Sequence, residues 1–200
     1  MRPWSRATVE EYHRLALRAH DLLRDVPVHD VWRVALPGGG PSRTMQDVRS
    51  VFEVARQSQR MGWPVRALIA LRWLLGRLLR WDRPLAEPEA WSFRARLSET
   101  DRRRSTVEPG TRDGPFTVLY VHAMEAVSEI RNATVHGFLV WALEPTADGY
   151  RLFWAIHTLP VGVWTKPYLA LIDPFRRWLV YPALLRRIHE AWTRELESAA

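Results

Sequence analysis

Apolar residues alternate with other residues from Phe116 to Leu159, in four segments separated by turn residues: FTVLYVH, AVSEI, TVHGFLVWALE and YRLFWAIHTL. A period of two is typical of β-strands, and connections this short join antiparallel neighbours. The pattern therefore predicts a four-stranded antiparallel meander.

The two longest segments predict which side chains share a face of this sheet. The PTADG loop between them favours a hairpin in which Glu144 pairs with Tyr150. That register places His136, Phe138 and Trp154 on one face. Both faces of the two segments are largely apolar, so we expect another layer of the protein to cover each of them.

The first quarter of the chain predicts two helices with a strand between them. Thr8 is a good N-cap and predicts a helix over residues 8–24, with Glu10 and Glu11 favourably placed in its first turn. The segment HDVWRVAL predicts a strand that ends at PGGGP. Apolar residues at helical spacing predict a second helix over residues 44–57.

Residues 66–81 have a strong amphipathic pattern, with leucines in one arc of a helix and arginines in the opposite arc. Two interpretations remain open. Either the leucine face packs against the core, or the helix lies on an anionic membrane with Trp73 and Trp81 as anchors at the interface.

A last amphipathic helix is predicted from Asp173, as its N-cap, through Pro174 at the first helical position to about Glu197. Such a helix would be about 37 Å long, which is enough to cross a small sheet. We expect Pro182 to kink it, because a proline inside a helix removes one hydrogen bond and clashes with the preceding turn. Its apolar stripe consists of Phe175, Leu179, Ala183, Leu184, Ile188, Ala191 and Trp192.

Residues 85–114 are the least regular part of the chain and are rich in Pro, Glu, Ser, Thr, Arg and Gly. The segment WSFRARL within them would form a short strand. The region is either a mobile lid over a pocket or a long surface connection. We expect the basic run at residues 102–104 to lie in a solvated loop, with a phosphate-binding patch as the alternative.

The length and the net charge of the chain indicate how many domains it forms and what kind of partner it binds. A chain of 200 residues with 47% hydrophobic residues is expected to form one domain, which we place at residues 29–197 after a helical extension over residues 1–28. The formal net charge of +7 suggests an anionic partner, although nearly every basic residue is an arginine, as GC-rich coding produces. Because the chain has no Gly-rich phosphate loop and no RNA-binding aromatic motif, we expect no nucleic-acid partner.

Residues suited to a metal or a cofactor are sparse. The chain has no cysteine, which excludes disulfides and thiolate sites. Its seven histidines lack the close helical pairing of zinc proteases, so we expect neither a metal nor a cofactor. The first residues lack the apolar core of a signal peptide, and charged residues interrupt both long apolar stretches, so we expect a cytoplasmic protein.

The predicted order of an early strand, two helices, a meander and a long C-terminal helix is that of the helix-grip fold. Three segments, VRALIALRWLLGRLL, FTVLYVHAMEAVSEIRNATVHGFLVWAL and VGVWTKPYLALIDPFRRWLVYPALLRRI, resemble an uncharacterised bacterial family of the START-like (SRPBCC) superfamily, which includes polyketide cyclases. The resemblance runs from about His29 to Trp192. It implies an α+β fold in which a curved antiparallel sheet wraps around the C-terminal helix. Members occur alone or appended to NAD-dependent epimerase-like proteins, which implies such a protein as a partner.

By analogy with this superfamily, a cavity between the sheet and the C-terminal helix would hold a hydrophobic small molecule such as a lipid, a polyketide or an isoprenoid-like compound. Polar side chains that point into such a cavity need a partner from the protein, from water or from the ligand. The stretch EIRNATVHGFL is informative because it carries several polar side chains within a predicted sheet. The expected ligand-binding residues are Tyr120, Glu129, Arg131, His136, Phe138, Trp154, Phe175 and Leu179.

The polar candidates also have structural interpretations. Glu129 and Arg131 lie two residues apart, which suits an ion pair that is either structural or a clamp for a ligand oxygen. Two other functions stay open. The protein could be a cyclase or dehydratase that uses His136 or Glu129 as acid or base, or a peripheral protein that docks on a membrane or a partner through residues 66–81.

Overall fold

The computed structural model describes residues 2–58, 91–132, 135–163 and 165–199. Over these residues the protein is α+β: seven strands form one curved antiparallel sheet, and a long helix closes the chain. The strands are β1 (Trp4–Arg6), β2 (Val28–Pro37), β3 (Arg112–Asp113), β4 (Phe116–Val121), β5 (Glu125–Arg131), β6 (Val135–Thr146) and β7 (Gly149–Pro160). Their order in the sheet is β1, β2, β7, β6, β5, β4, β3.

The helices lie before, between and after the strands. They are α1 (Val9–His13), α2 (Arg18–Leu22), α3 (Met45–Ser58), α4 (Glu99–Arg104), α5 (Thr165–Phe175) and α6 (Tyr181–Ala199), with a 3-10 turn at Phe93–Arg96 and a π-helical segment at Arg176–Val180. The predicted helix over residues 66–81 lies outside the described residues. Among the helices that the structure describes, none combines the length and the apolar character that crossing a membrane requires.

The predicted meander is confirmed, because β4 to β7 are consecutive antiparallel neighbours. The predicted strand over HDVWRVAL is confirmed as β2, which pairs with β7. β1 pairs with β2 in turn, so residues at the start of the predicted 1–28 extension take part in the sheet.

The predicted register of the β6–β7 hairpin is wrong by one residue, because Glu144 pairs with Arg151 and not with Tyr150. Gly149 makes the shorter turn feasible. Its φ is 136°, and a Cβ at this position would lie 2.5 Å from backbone atoms at the end of β2, so only glycine fits. A shift of one residue moves every side chain of a strand to the other face, and Trp154 therefore lies on the face opposite to the one predicted.

Both faces of the sheet are buried, as their apolar pattern predicted. We call face A the side that carries Leu139, Trp141 and Trp154; α3 and α6 cover it. We call face B the side that carries Phe138 and Phe153; α1, α2 and residues 93–97 cover it.

The predicted helix over residues 8–24 is in fact two short helices. Thr8 caps α1 in a reciprocal capping box with Glu11, as its identity predicted. α2 starts again at Arg18, where the Glu125 carboxylate accepts hydrogen bonds from the backbone N–H groups of Arg18 (2.9 Å) and Ala19 (3.1 Å). The helix is thus capped by a side chain from β5, which nothing in its local sequence could indicate.

Residues 91–104 pack on face B. The predicted short strand over WSFRARL is wrong, because these residues form the 3-10 turn instead. Phe93 and Leu97 are only 5% and 7% exposed and belong to the core of face B, so this part of the irregular region is a fixed layer of the fold. The basic run at residues 102–104 is exposed at the end of α4 rather than in a loop.

The C-terminal helical region begins earlier than predicted. Asp173 is not an N-cap, because α5 already starts at Thr165 and the π-helical segment joins it to α6. Pro174 and Pro182 flank that segment. Neither proline can donate the backbone hydrogen bond that α geometry requires at its position, which favours the wider turn between them.

α6 lies across face A, and its inner side packs directly on the sheet. The buried side chains of α6 are Tyr181, Leu185, Ile188, Ala191 and Trp192. The predicted apolar stripe is therefore confirmed over the second half of the helix. It is wrong at Phe175 and Leu179, which precede α6 and are 39% and 43% exposed.

Candidate functional site

A cavity of about 150 Å³ lies between face A, α3 and the turn that joins β3 to β4. Its described wall consists of Arg49, Phe52, Asp113, Gly114, Pro115, Phe116, Ala126, Ser128, Leu139, Trp141 and Trp154. None of these residues belongs to α6. The cavity therefore lies beside the C-terminal helix and not beneath it, which corrects the expected position.

Four aromatic residues line the wall: Phe52, Phe116, Trp141 and Trp154. Trp141 and Trp154 are direct partners on β6 and β7, and their ring centroids are 5.1 Å apart. Phe52 of α3 meets Trp141 edge-on, with centroids 5.1 Å apart and an angle of 89° between the planes. Edge-to-face and offset contacts are the favourable geometries for aromatic pairs, so this wall is preorganised without a ligand.

α3 holds Phe52 in place because its apolar side is anchored on face A. Met45, Val48 and Val51 are at most 2% exposed and belong to the same core as the sheet residues. At the start of the helix, the carboxylate of Asp47 accepts hydrogen bonds from the backbone N–H and the hydroxyl of Thr44, at 2.7 and 2.9 Å. The sequence prediction of this helix is confirmed, and its period is what brings Phe52 over the cavity.

The cavity wall contains a few polar groups. The Ser128 side chain contributes a hydroxyl from β5. The indole N–H of Trp154 is buried and has no acceptor among the residues that the structure describes. Arg49 donates a hydrogen bond to the Asp113 carboxylate at 2.9 Å and so ties α3 to β3 at the edge of the cavity. A buried donor without a partner is unfavourable.

This arrangement suits binding better than acid–base chemistry. Arg49 and Asp113 are the titratable side chains in the described wall, and they are paired with each other. General acid–base catalysis needs a free acid or base within hydrogen-bond reach of the substrate. His136 and Glu129, which the sequence suggested for this role, do not line the cavity.

The eight predicted ligand-binding residues do not come together in one site. Trp154 alone among them lines the described wall of the cavity. Tyr120, Glu129, Arg131, His136 and Phe138 lie on face B. Phe175 and Leu179 lie on the exposed side of α5 and of the π-helical segment.

Glu129 serves as a buried acceptor for the layer that covers face B. Its carboxylate is 1% exposed and accepts hydrogen bonds from the Ser92 hydroxyl and from the backbone N–H of Phe93, the latter at 3.1 Å. The Nε2 atom of His136 lies 3.1 Å from the same carboxylate. The carboxylate therefore meets three partners and attaches residues 92–93 to β5 and β6.

His136 and Arg131 complete this structural cluster. The imidazole is 2% exposed and is packed against the rings of Phe93 and Phe138, with centroids 5.3 and 4.4 Å away. The Arg131 guanidinium lies over the ring of Trp91, 5.1 Å from its centroid. Over the described part of the chain, Arg131 forms no ion pair with Glu129, so the predicted pair is wrong. Glu129, Arg131 and His136 thus contact the layer that covers face B, on the side of the sheet opposite to the cavity.

A protein-family model described as "Protein of unknown function (DUF2867)" matches residues 22–183. The chain belongs to this family. No curated protein and no solved structure matches the chain. The DUF2867 match includes every described residue of the cavity wall, whereas α1 and most of α6 lie outside it.

A second buried polar cluster, which the sequence patterns did not predict, lies partly outside the DUF2867 match. The Nδ1 atom of His157 lies 3.0 Å from the Val26 carbonyl oxygen, and its Nε2 atom lies 3.1 Å from the Tyr12 hydroxyl. Because a carbonyl can only accept, Nδ1 carries the proton and Nε2 accepts from Tyr12. Burial lowers the pKa of His157 to about 4, so this imidazole is neutral near pH 7.

Tyr120 and Glu125 lie in the same region. Burial and the nearby Glu125 carboxylate raise the pKa of Tyr120 far above its usual range. His157 and Tyr12 are 145 positions apart, so no short-range signal could have linked them. In the described ranges, no three His, Asp or Glu side chains are arranged to hold a metal ion.

Proposed function

We propose that this protein binds a small hydrophobic molecule in the cavity on face A. The observation that carries the proposal is a cavity of about 150 Å³ with an aromatic wall that also contains Ser128. Sites for small molecules typically combine a mainly apolar wall with a few polar groups that fix the orientation of the ligand.

The volume restricts what can be buried. A cavity of about 150 Å³ in a protein core can take up benzene, and typical pockets for larger ligands enclose about 300–1,000 Å³. The buried part of the ligand is therefore one ring or a short branched chain. A complete lipid or polyketide would leave most of its atoms outside.

The residues of the wall also favour a ligand of a particular polarity. A flat ring would lie against Trp141 and Trp154, and an acceptor atom on that ring would accept a hydrogen bond from the Ser128 hydroxyl. Apolar contact supplies most of the binding free energy, at about 25 cal/mol per Å² of buried area before the costs of association. An aromatic ring with one oxygen or nitrogen acceptor meets both requirements.

We also assign the fold to the helix-grip class. The antiparallel sheet with a long C-terminal helix across face A supports this assignment. The binding proposal depends on the cavity and not on this likeness, because one fold carries many functions.

Methyl-detected NMR of the full chain, titrated with toluene and with p-cresol, tests the proposal. Leu139 and Ala126 line the cavity, so their methyl resonances should shift in a saturable way. Leu119 and Ala155 belong to the core of face B, so their methyl resonances should not shift. The proposal fails if neither probe produces a saturable shift, or if the methyl groups of both faces shift alike.

A further inference from the structure

α5 and the π-helical segment after it carry an exposed apolar stripe. Leu171, Phe175, Trp178 and Leu179 follow the spacing of one helical face, and they are 43%, 39%, 79% and 43% exposed. Val163, just before α5, is 86% exposed. Trp178 stands out because the other tryptophans that the structure describes are buried or half-buried. A contiguous exposed patch of this kind marks a surface that meets another molecule or a membrane.

Polar contacts on the opposite side hold α5 in this orientation. The Asp173 carboxylate lies 2.7 Å from Nε2 of His29 and also contacts Arg177. Arg177 in turn donates a hydrogen bond to Asp30 of β2 at 2.9 Å. Tyr168, one turn before the stripe, is 7% exposed on the inner side. The apolar stripe is therefore fixed outward by the fold.

The net charge of the sequence around the stripe is positive. From residue 161 to residue 188 the sequence contains the basic residues Lys166, Arg176, Arg177, Arg186 and Arg187, and Asp173 is the sole acidic residue. Asp173 pairs with Arg176 and Arg177, and Glu190 lies 3.7 Å from Arg186, but the segment keeps a positive net charge. Two copies of the chain that met through this stripe would bring like charges together, which disfavours a dimer.

We propose that this stripe docks the protein on the surface of an anionic lipid bilayer. Leu171, Phe175, Trp178 and Leu179 would enter the boundary between headgroups and acyl chains, where tryptophan is favoured. Lys166, before the stripe, and Arg186, after it, would contact lipid phosphates, because the exposed pair between Arg186 and Glu190 is weak. The site is separate from the face A cavity, so it holds whether or not the cavity binds a ligand.

A label at a single position tests the contact directly. The chain has no cysteine, so Leu171→Cys carries one environment-sensitive fluorophore in the stripe. Val9→Cys is the matched control, because Val9 is similarly exposed, at 39%, on α1. The full-length proteins are mixed with vesicles of pure phosphatidylcholine or of equimolar phosphatidylcholine and phosphatidylglycerol.

The expected result is a blue shift and a gain of emission at position 171 with the anionic vesicles alone, with no change at position 9. Unlabelled Trp178→Ser should lower co-sedimentation with the anionic vesicles by about tenfold, whereas Val9→Ser should leave it unchanged. Binding to neither vesicle would overturn the proposal and leave a protein as the occupant. Equal binding to both vesicles, or binding without a change at position 171, would overturn it as well.

Discussion

Trp141 and Trp154 lie side by side on face A, with ring centroids 5.1 Å apart and planes inclined by 33°. The pair exists because the turn between β6 and β7 is short enough to set the two residues directly opposite each other. Phe52 of α3 lies against both rings, with its centroid 5.1 Å from that of Trp141 and 6.4 Å from that of Trp154. The cavity of the protein is built around this contact.

Leu139→Ala should enlarge the cavity and allow it to bind larger ligands. Leu139 lines the wall and is 7% exposed, so its truncation is expected to lower the free energy of unfolding by about 2–5 kcal/mol. Naphthalene should then compete with toluene, as calorimetry can measure. Leu185→Ala, which truncates a fully buried leucine on the inner side of α6, is the control and should destabilise without admitting naphthalene. Equal uptake of naphthalene by both variants would contradict the location of the site.

Asp113→Asn should loosen the edge of the cavity with little loss of stability. The Arg49–Asp113 pair is partly exposed, so its loss should lower the free energy of unfolding by no more than about 1 kcal/mol. Toluene exchange, measured from NMR line shapes, should become several-fold faster. Glu144→Gln, which breaks the exposed Glu144–Arg151 pair of the β6–β7 hairpin, is the control. An unchanged exchange rate in Asp113→Asn would show that ligands enter elsewhere.

Glu129→Ala should destabilise the fold without affecting the cavity. The substitution leaves the donors of Ser92, Phe93 and His136 without their buried acceptor, which is expected to lower the free energy of unfolding by about 3 kcal/mol. Urea denaturation measures the loss, and toluene binding by the folded variant should equal that of the wild type. A stable variant that no longer bound toluene would place the ligand on face B instead.

His157 predicts a loss of stability on acidification. Its pKa is about 4 in the folded protein because of burial, against 6.5 for an unperturbed imidazole. Between these values the unfolded chain takes up a proton that the folded protein does not, so the free energy of unfolding falls as the pH drops through this window. The total loss is about 3 kcal/mol, and this contribution is constant above the window.

His157→Gln should remove this pH-dependent contribution to the free energy of unfolding. Urea denaturation at several pH values between neutrality and pH 4 should give a flatter profile for the variant than for the wild type. Tyr12→Phe, which removes only the hydroxyl near Nε2, should retain the pH dependence because the imidazole stays buried. Profiles of equal slope in the wild type and His157→Gln would show that other groups cause the acid sensitivity.

Local sequence patterns predicted where helices and strands lie better than they predicted where a helix is interrupted. β2, α3 and the four strands of the meander follow from apolar spacing, because each buries its own apolar side in one core. The break between α1 and α2 could not be predicted, since its cause is the Glu125 carboxylate, which reaches α2 from β5. The role of Asp173 was also not predictable from its neighbours in sequence. It pairs with His29 of β2 and with Arg177 instead of capping a helix.

The candidate site was less predictable because it depends on one residue of register. With Glu144 opposite Tyr150, Trp154 would share a face with His136 and suggest a polar ligand site. With Glu144 opposite Arg151, Trp154 joins Trp141 on face A instead. The close approach of Gly149 to the end of β2 selects between these registers, and such a contact is invisible in the hairpin sequence alone.

Xenon provides the most direct measurement of the cavity, because it enters apolar cavities whatever the natural ligand is. Crystals of the protein pressurised with xenon should show an anomalous peak between Leu139, Trp141 and Trp154. A structure in which side chains fill this space, with no xenon bound there, would contradict the proposal that face A binds a small hydrophobic molecule.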